Sequence, residues 1–166
     1  SLNCASVLVQ LFSFGINLSG TIGCWSFNAQ VGVSMDTKGN IGFQYSYGGG
    51  LSVNPGLNLE DPASGFSLSL SGYRSVTNAP TINDLQGRGC QIGSSLAIPI
   101  EGVGIYTGRD VLICDAGNRQ YYGYTKTIGI GTPGMESHVE WSETRNVGKP
   151  INIFDKLRKW IKRERM

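Results

Sequence analysis

Apolar residues alternate with small polar residues along most of the chain, which is the two-residue period of a β-strand. The clearest case is the pair of segments 31–35 and 41–47, which flank the turn-forming residues 36–40 and predict a β-hairpin. We therefore expect an all-β fold of about eight to ten antiparallel strands, closed as an up-and-down barrel or stacked as a sandwich. Similar alternation recurs at 16–24, 66–71, 92–98, 103–106, 111–114, 122–130 and 135–144.

Three stretches do not follow this alternation. The apolar opening run 5–14 predicts a strand or a short buried segment, and the glycines at 48–50 predict a turn or a flexible edge. Residues 75–89 are rich in turn formers and predict a structured loop. Its polar side chains either line a binding site or serve as turn and end caps within a long connection. The candidate site residues in this loop are Asn78, Thr81 and Asp84.

The last residues, 152–166, change to helical spacing and predict a basic amphipathic helix that follows a β domain at 1–151. Asn152 is placed to cap this helix, with Asp155 at the third helical position. The helix either packs on the sheet through its apolar side or attaches the protein to an anionic membrane surface. The residues expected to contact a membrane are Phe154, Leu157, Trp160, Lys156, Lys159 and Lys162.

The composition shows that the polar face of the strands is unusual, because it carries few charges. Charged residues make up only 16% of the chain, and 24 of its 166 residues are glycine. The polar strand positions hold mainly Gly, Ser, Asn, Gln and Thr, which are small and uncharged. Two explanations fit: a small closed barrel whose glycines relieve crowding, or a barrel that turns its apolar face outward to lipid. We favour the first, because charges between residues 109 and 143 interrupt a clean lipid-facing pattern.

Basic residues are concentrated at the end of the chain. Seven basic and two acidic residues lie from Lys149 onward, so the preceding 148 residues carry a net charge of −3 although the whole chain is at +2. A mildly acidic body of this kind argues against a nucleic-acid groove, and no nucleic-acid partner is expected.

The four cysteines lack the close spacing of a zinc or redox site, so we expect no metal site and no cofactor. Cys90 and Cys114 are placed like partners across a hairpin, and Cys4 and Cys24 are similarly spaced about residue 14. Disulfide bonds and free thiols both remain open at this stage.

The only histidine provides the one candidate catalytic group. In a strand, Glu136, His138 and Glu140 share one face, so a carboxylate can orient the imidazole as a general base. The polar outer side of an edge strand produces the same pattern. The chain contains no GxSxG nucleophile elbow.

The segments VGVSMDTKGNIGFQYSYGGG, SVTNAPTINDLQG and NIFDKLRKW resemble the C-terminal variable domains of RHS-repeat and related bacterial polymorphic toxins. The resemblance implies a module at the end of a larger secreted polypeptide, which is cleaved, delivered into a target cell and neutralised by a cognate immunity protein. A chain that starts at Ser1 without methionine fits that expectation. The resemblance supplies no catalytic residues. We expect a toxin module that permeabilises or binds membranes; the alternatives are a hydrolase using His138 and a non-catalytic binding barrel.

Overall fold

The computed structural model describes residues 9–54, 65–115, 117 and 119–164. In these residues the chain forms eight strands and one α-helix. They are β1 (Leu11–Ile22), β2 (Trp25–Asp36), β3 (Asn40–Val53), β4 (Ser67–Thr77), β5 (Gly87–Ile100), β6 (Val103–Asp115), β7 (Gln120–Gly131), β8 (Gly134–Asn152) and α1 (Ile153–Glu164). The strand or buried segment predicted at 5–14 lies partly outside the described residues.

The strands close into one antiparallel barrel in the order β1-β2-β3-β8-β5-β6-β7-β4, with β4 returning to β1. The all-β barrel prediction with a C-terminal helix is therefore confirmed, and the sandwich alternative is wrong. The order is not that of an up-and-down barrel, because β3 and β4, β4 and β5, and β7 and β8 are not neighbours. The described connections from β4 to β5 and from β7 to β8 therefore link strands that are not neighbours, at the helix-bearing end and at the opposite end of the barrel respectively.

The hairpin predicted around residues 36–40 is present as β2 and β3, with Met35 opposite Ile41. The carboxylate of Asp36 accepts hydrogen bonds from the backbone N–H groups of Lys38 and Asn40, both at 3.0 Å. Gly39 adopts a φ of 82°, which is unfavourable for any residue with a side chain. These local contacts explain why the sequence alone identifies this turn.

The apolar strand face points outward, which corrects our preferred explanation of the composition. Large side chains stand exposed on the barrel wall, with Trp25 at 66%, Phe43 at 60% and Ile128 at 58% exposure. The buried side of each strand instead carries mostly Ser, Thr, Asn and Gln. The interrupting charges divide between the two faces: Asp110, Glu136 and Glu140 point into the lumen, while Arg109 and Lys126 alternate with apolar residues on the outer wall.

Glycines in the inner face let neighbouring strands approach closely, so the crowding argument from composition is retained. A Cβ at Gly50 would lie 2.7 Å from the Cα of Glu140, and one at Gly48 would lie 2.8 Å from the Cα of Ser142. The glycine run at 48–50 lies within β3, so the predicted turn or flexible edge is wrong. These glycines permit the pairing of β3 with β8.

We call the barrel end where α1 begins the helix end, and the end with the turns at 23–24, 101–102 and 132–133 the far end. The connection from β4 to β5 crosses the helix end and includes a short 3-10 helix, Ile82–Leu85. Ile82 is only 1% exposed, and its carbonyl oxygen accepts a hydrogen bond of 3.2 Å from Nε2 of Gln44 inside the lumen. This loop therefore plugs the helix end.

Helix α1 begins directly after β8. Asn152 Oδ1 accepts a hydrogen bond from the backbone N–H of Asp155 at 3.0 Å, which confirms the predicted cap. No residue of α1 is buried, so its apolar side does not pack on the sheet as one of our interpretations required. Only its first turn approaches the barrel, where the Phe154 ring lies against Gly39. Within the described chain, no helix combines the length and the apolar character needed to cross a bilayer.

Cys24, Cys90 and Cys114 are free thiols. Cys90 and Cys114 do lie on the paired strands β5 and β6, but their register partners are Ile113 and Gly89 respectively. The two thiols thus belong to opposite faces of the hairpin, which rules out the disulfide that their spacing permitted. Cys4, the proposed partner of Cys24, lies outside the described residues.

Candidate functional site

The lumen holds a cluster of ionisable side chains contributed by β6 and β8, which we call the lumen cluster: Asp110, Glu136, His138 and Glu140. His138 Nε2 lies 2.7 Å from Oδ1 of Asp110, and its Nδ1 lies 3.8 Å from Oε1 of Glu136. The imidazole is only 8% exposed. His138 thus sits between two carboxylates, and when protonated it partly neutralises them.

Glu140 belongs to the same face but has different partners. Its Oε2 accepts hydrogen bonds from Nε2 of Gln91, at 2.7 Å, and from Nδ2 of Asn28. Glu140 is 4% exposed, and these amides come from two other strands, β5 and β2. Hydrogen bonds to a buried carboxylate offset the loss of its hydration, so Glu140 ties three strands together across the lumen.

A cavity of about 390 Å³ opens at the far end beside this cluster. Ser67, Ser95, Tyr106 and Glu136 contribute to its lining. Ser67 Oγ donates a hydrogen bond of 3.3 Å to Oε2 of Glu136. Glu136 therefore lies between the cavity and His138. A general acid or base needs such a position, within reach of a bound substrate and of a second titratable group.

Of the predicted catalytic residues, the structure brings Glu136 and His138 together and places Glu140 further along the same strand. They point into the barrel and do not form the polar outer side of an edge strand. Asp110, which makes the shortest contact to His138, is not among the residues predicted from the sequence. The sequence gives only a weak indication of its position, because Asp110 alternates with two outward residues of β6, Arg109 and Val111. No local pattern in the sequence shows that β6 lies near β8.

The loop residues Asn78, Thr81 and Asp84 make structural hydrogen bonds. Asn78 Oδ1 accepts the backbone N–H of Tyr122 at 2.8 Å. Asp84 Oδ2 accepts hydrogen bonds from the Thr81 hydroxyl at 2.6 Å and from the Thr81 backbone N–H at 3.1 Å. These contacts correspond to the capping interpretation of the loop and hold the plug in place.

The other candidate surface is the outer wall. Strands β1, β2 and β3 present no charged side chain outward, and their wall residues are almost entirely aliphatic or aromatic. Helix α1 extends the apolar area, because Phe154, Leu157 and Trp160 are 53%, 50% and 58% exposed. Lys156, Lys159 and Lys162 are exposed on the same helix. The wall and helix together leave far more apolar surface uncovered than monomeric water-soluble domains usually expose.

Comparison with known proteins does not assign the chain to a family. No protein-family model and no curated protein matches the sequence. Among solved structures, a cyan fluorescent protein from Discosoma striata aligns at 12% identity, covering 81% of this chain and 96% of that chain, with a TM-score of 0.24. A similarity this weak carries no argument about fold or function.

Proposed function

We propose that this protein acts at membranes as a lipid-embedded β-barrel whose outer wall contacts acyl chains. The observation that carries the proposal is the reversal of polarity: the strands bury Ser, Thr, Asn and Gln and expose Phe, Ile, Leu, Val and Trp. A barrel in water would pay a large hydrophobic penalty for this arrangement, whereas in a bilayer the same surface is favourable.

The strand lengths support the same environment. The barrel strands have 11 to 19 residues. A tilted strand needs about 9–11 residues to cross the hydrocarbon core. Every described backbone strand edge is paired because the barrel is closed, and closure is what a sheet in lipid requires.

The charge distribution gives the barrel an orientation. At the helix end, Asp84, Asp115 and Glu143 largely offset the basic barrel residues, which are Lys38, Arg88, Arg119 and Lys149, so α1 supplies most of the positive charge there. At the far end, the described turns carry one charged residue, Glu101. Anionic headgroups attract the basic end, so α1 is expected to lie along that membrane surface.

The lumen favours lipid binding over pore formation. Eight strands enclose only enough room for side chains, and here that room is crossed by the Glu140 hydrogen bonds and plugged by Ile82. Permeabilisation would require this interior to rearrange or several barrels to assemble.

Fluorescence quenching of the three tryptophans tests whether the barrel wall lies in the lipid bilayer. Trp25, Trp141 and Trp160 are all exposed, on β2, β8 and α1 respectively. Single-tryptophan variants, with the other two replaced by Phe, are mixed with vesicles containing lipids brominated on the acyl chains. Trp25 and Trp141 should be quenched by bromine and protected from aqueous iodide. Quenching by iodide alone would show that the wall faces water, and protection from both quenchers would show that a protein partner or a second copy covers it; either result would overturn the proposal.

A polymorphic-toxin setting is the second part of this proposal, and it rests on the motif resemblance. It would place the barrel at the end of a larger secreted polypeptide, with an immunity protein as partner. Inducible expression in bacteria, while growth and membrane potential are followed, tests it. Growth arrest with depolarisation that requires α1 supports a membrane toxin; normal growth argues against toxicity and favours a non-catalytic binding barrel.

The far-end cavity favours one alternative activity, a hydrolase toxin. Glu136 lines that cavity and lies 3.8 Å from His138, so the pair could exchange a proton with a bound substrate. Growth arrest without depolarisation that is abolished in His138→Gln, while that variant still accumulates as a folded barrel, would favour this alternative. Arrest that persists in His138→Gln would exclude it.

A further inference from the structure

Three basic side chains form a row across the outer wall, on the adjacent strands β4, β7 and β6. Lys126 lies directly opposite Arg74 on one side and directly opposite Arg109 on the other. All three alternate with outward apolar residues, so their side chains leave the same face of the sheet. Directly opposite residues on one face have Cβ atoms about 4.5–5.5 Å apart. We call these three residues the basic row.

The row has no partner among the described residues. Arg74, Arg109 and Lys126 make no hydrogen bond or ion pair with them. The acidic residue nearest in sequence, Asp110, points into the lumen toward His138. Like charges directly opposite each other destabilise a sheet, so three neighbouring cations need an anion from outside the barrel.

The surroundings of the row are apolar. Val76, Val111 and Tyr124 lie one outward position closer to the helix end, and Ile128 lies one position further away. Phe14 is the register partner of Arg74 on β1. A soluble anion would gain nothing from these side chains, whereas a lipid would use both parts of the surface.

We propose that Arg74, Lys126 and Arg109 bind the phosphate of an anionic lipid whose acyl chains lie along the neighbouring wall. This proposal rests on the membrane location proposed above. Arg74 lies three residues from the helix-end terminus of β4, and Lys126 and Arg109 each lie six residues from theirs. For a tilted strand, three to six residues correspond to about 8–15 Å, so the row as a whole lies within this range of the strand ends. Long basic side chains extend toward the interface, so the phosphate belongs to the leaflet at the helix end.

Guanidinium groups suit this role because they hold phosphate oxygens through paired N–H donors, while the Lys126 ammonium adds a compact charge. The row therefore differs in kind from α1. The helix attracts a whole anionic surface, and the row holds one headgroup at a defined place on the wall.

The test uses the full chain inserted into vesicles of phosphatidylcholine mixed with phosphatidylglycerol. After extraction in mild detergent, mass spectrometry measures the lipid that remains bound to each protein. Wild type should retain phosphatidylglycerol preferentially. The triple variant Arg74→Gln, Arg109→Gln, Lys126→Gln should retain at least about tenfold less, since each basic group near an anionic headgroup contributes several-fold in affinity. A second triple variant, Lys156→Gln, Lys159→Gln, Lys162→Gln, removes the same charge from α1 and should associate more weakly with these vesicles, so the bound lipid is counted per inserted protein. That ratio should stay near the wild-type value, because α1 attracts the surface as a whole and not one headgroup.

Five outcomes would overturn the assignment. Equal loss in both triple variants would show a diffuse charge effect, and unchanged retention in the basic-row variant would show that the lipid binds elsewhere. Displacement of the lipid by inorganic phosphate would show that the row recognises free phosphate. If wild type inserts, as judged by bromine quenching, but retains both lipids equally, only this inference fails. If wild type does not insert at all, the membrane proposal fails together with it.

Discussion

At residue 50 the barrel leaves no space for a side chain. A Cβ at Gly50 would collide with the Val139 carbonyl oxygen and lie 2.7 Å from the Cα of Glu140, and both are backbone atoms that cannot turn away. We expect Gly50→Ala to lower the free energy of unfolding by about 1–3 kcal/mol, the usual cost of overpacking. Urea unfolding of the detergent-folded protein, followed by tryptophan fluorescence, measures this.

Gly72 provides the matched control. It faces outward on β4, and a Cβ there would meet no atom closer than 3.8 Å. Gly72→Ala should therefore change the free energy of unfolding by less than about 0.5 kcal/mol. Equal effects at residues 50 and 72 would mean that the close approach of β3 to β8 does not determine the cost.

The pair of His138 and Asp110 gives a second prediction at this scale. Removing one member of a buried ion pair commonly costs about 3–5 kcal/mol, because the remaining charge loses its partner. His138→Gln should therefore be strongly destabilising, since Asp110 and Glu136 then face each other without a cation. The double variant His138→Gln, Asp110→Asn should recover part of that loss.

Unfolding free energies of the two single variants and the double variant form the thermodynamic cycle that measures the interaction. We expect a coupling above about 1 kcal/mol, as for other residues in direct contact. Additive effects would show that the 2.7 Å contact contributes nothing to stability. The sequence could not supply this pair, because Asp110 and His138 meet only through the pairing of β5 with both β6 and β8.

At the scale of single elements, the sequence predicted the structure best where contacts between neighbouring residues determine it. The turn at 36–40 and the Asn152 cap are built from neighbouring residues, and both were predictable. The glycines at 48–50 were misread because their role is to allow a distant strand, β8, to approach. Glycine composition alone does not distinguish a turn from a strand that packs closely against another.

Helix α1 carries the prediction that belongs to this scale. Its side chains are exposed and only its first turn contacts the barrel, so truncation after Asn152 should leave barrel stability nearly unchanged. The truncated protein should nevertheless associate more weakly with anionic vesicles and show little change with neutral ones. Co-sedimentation with anionic and with neutral vesicles, at low and at high salt, measures the two associations. An unfolded barrel after truncation would show that α1 is part of the fold.

At the scale of the whole molecule, alternation predicted two-faced strands in either a barrel or a sandwich, yet it did not predict which face points inward. Both choices produce the same two-residue period. The volume of the side chains on each face determines which face points inward. Ser, Thr and Gly fit inside a barrel of eight strands, whereas the larger Phe, Trp and Ile side chains lie on its outer surface. Charges at 109–143 obscured this, because inward and outward positions of β6, β7 and β8 both carry them.

A barrel with this interior should enter a membrane without opening it. Ile82 blocks the helix end, and the hydrogen bonds of Glu140 cross the middle of the lumen, so water and ions lack a continuous path. We expect vesicles that hold the inserted protein to retain a trapped dye at the level of protein-free vesicles. The paired variant Glu140→Ala, Ile82→Ser should leak more, because it removes both obstructions while leaving the outer wall intact. Rapid dye release by the wild-type protein would mean that the lumen rearranges in lipid or that several barrels assemble, and would favour a permeabilising role over a lipid-binding one.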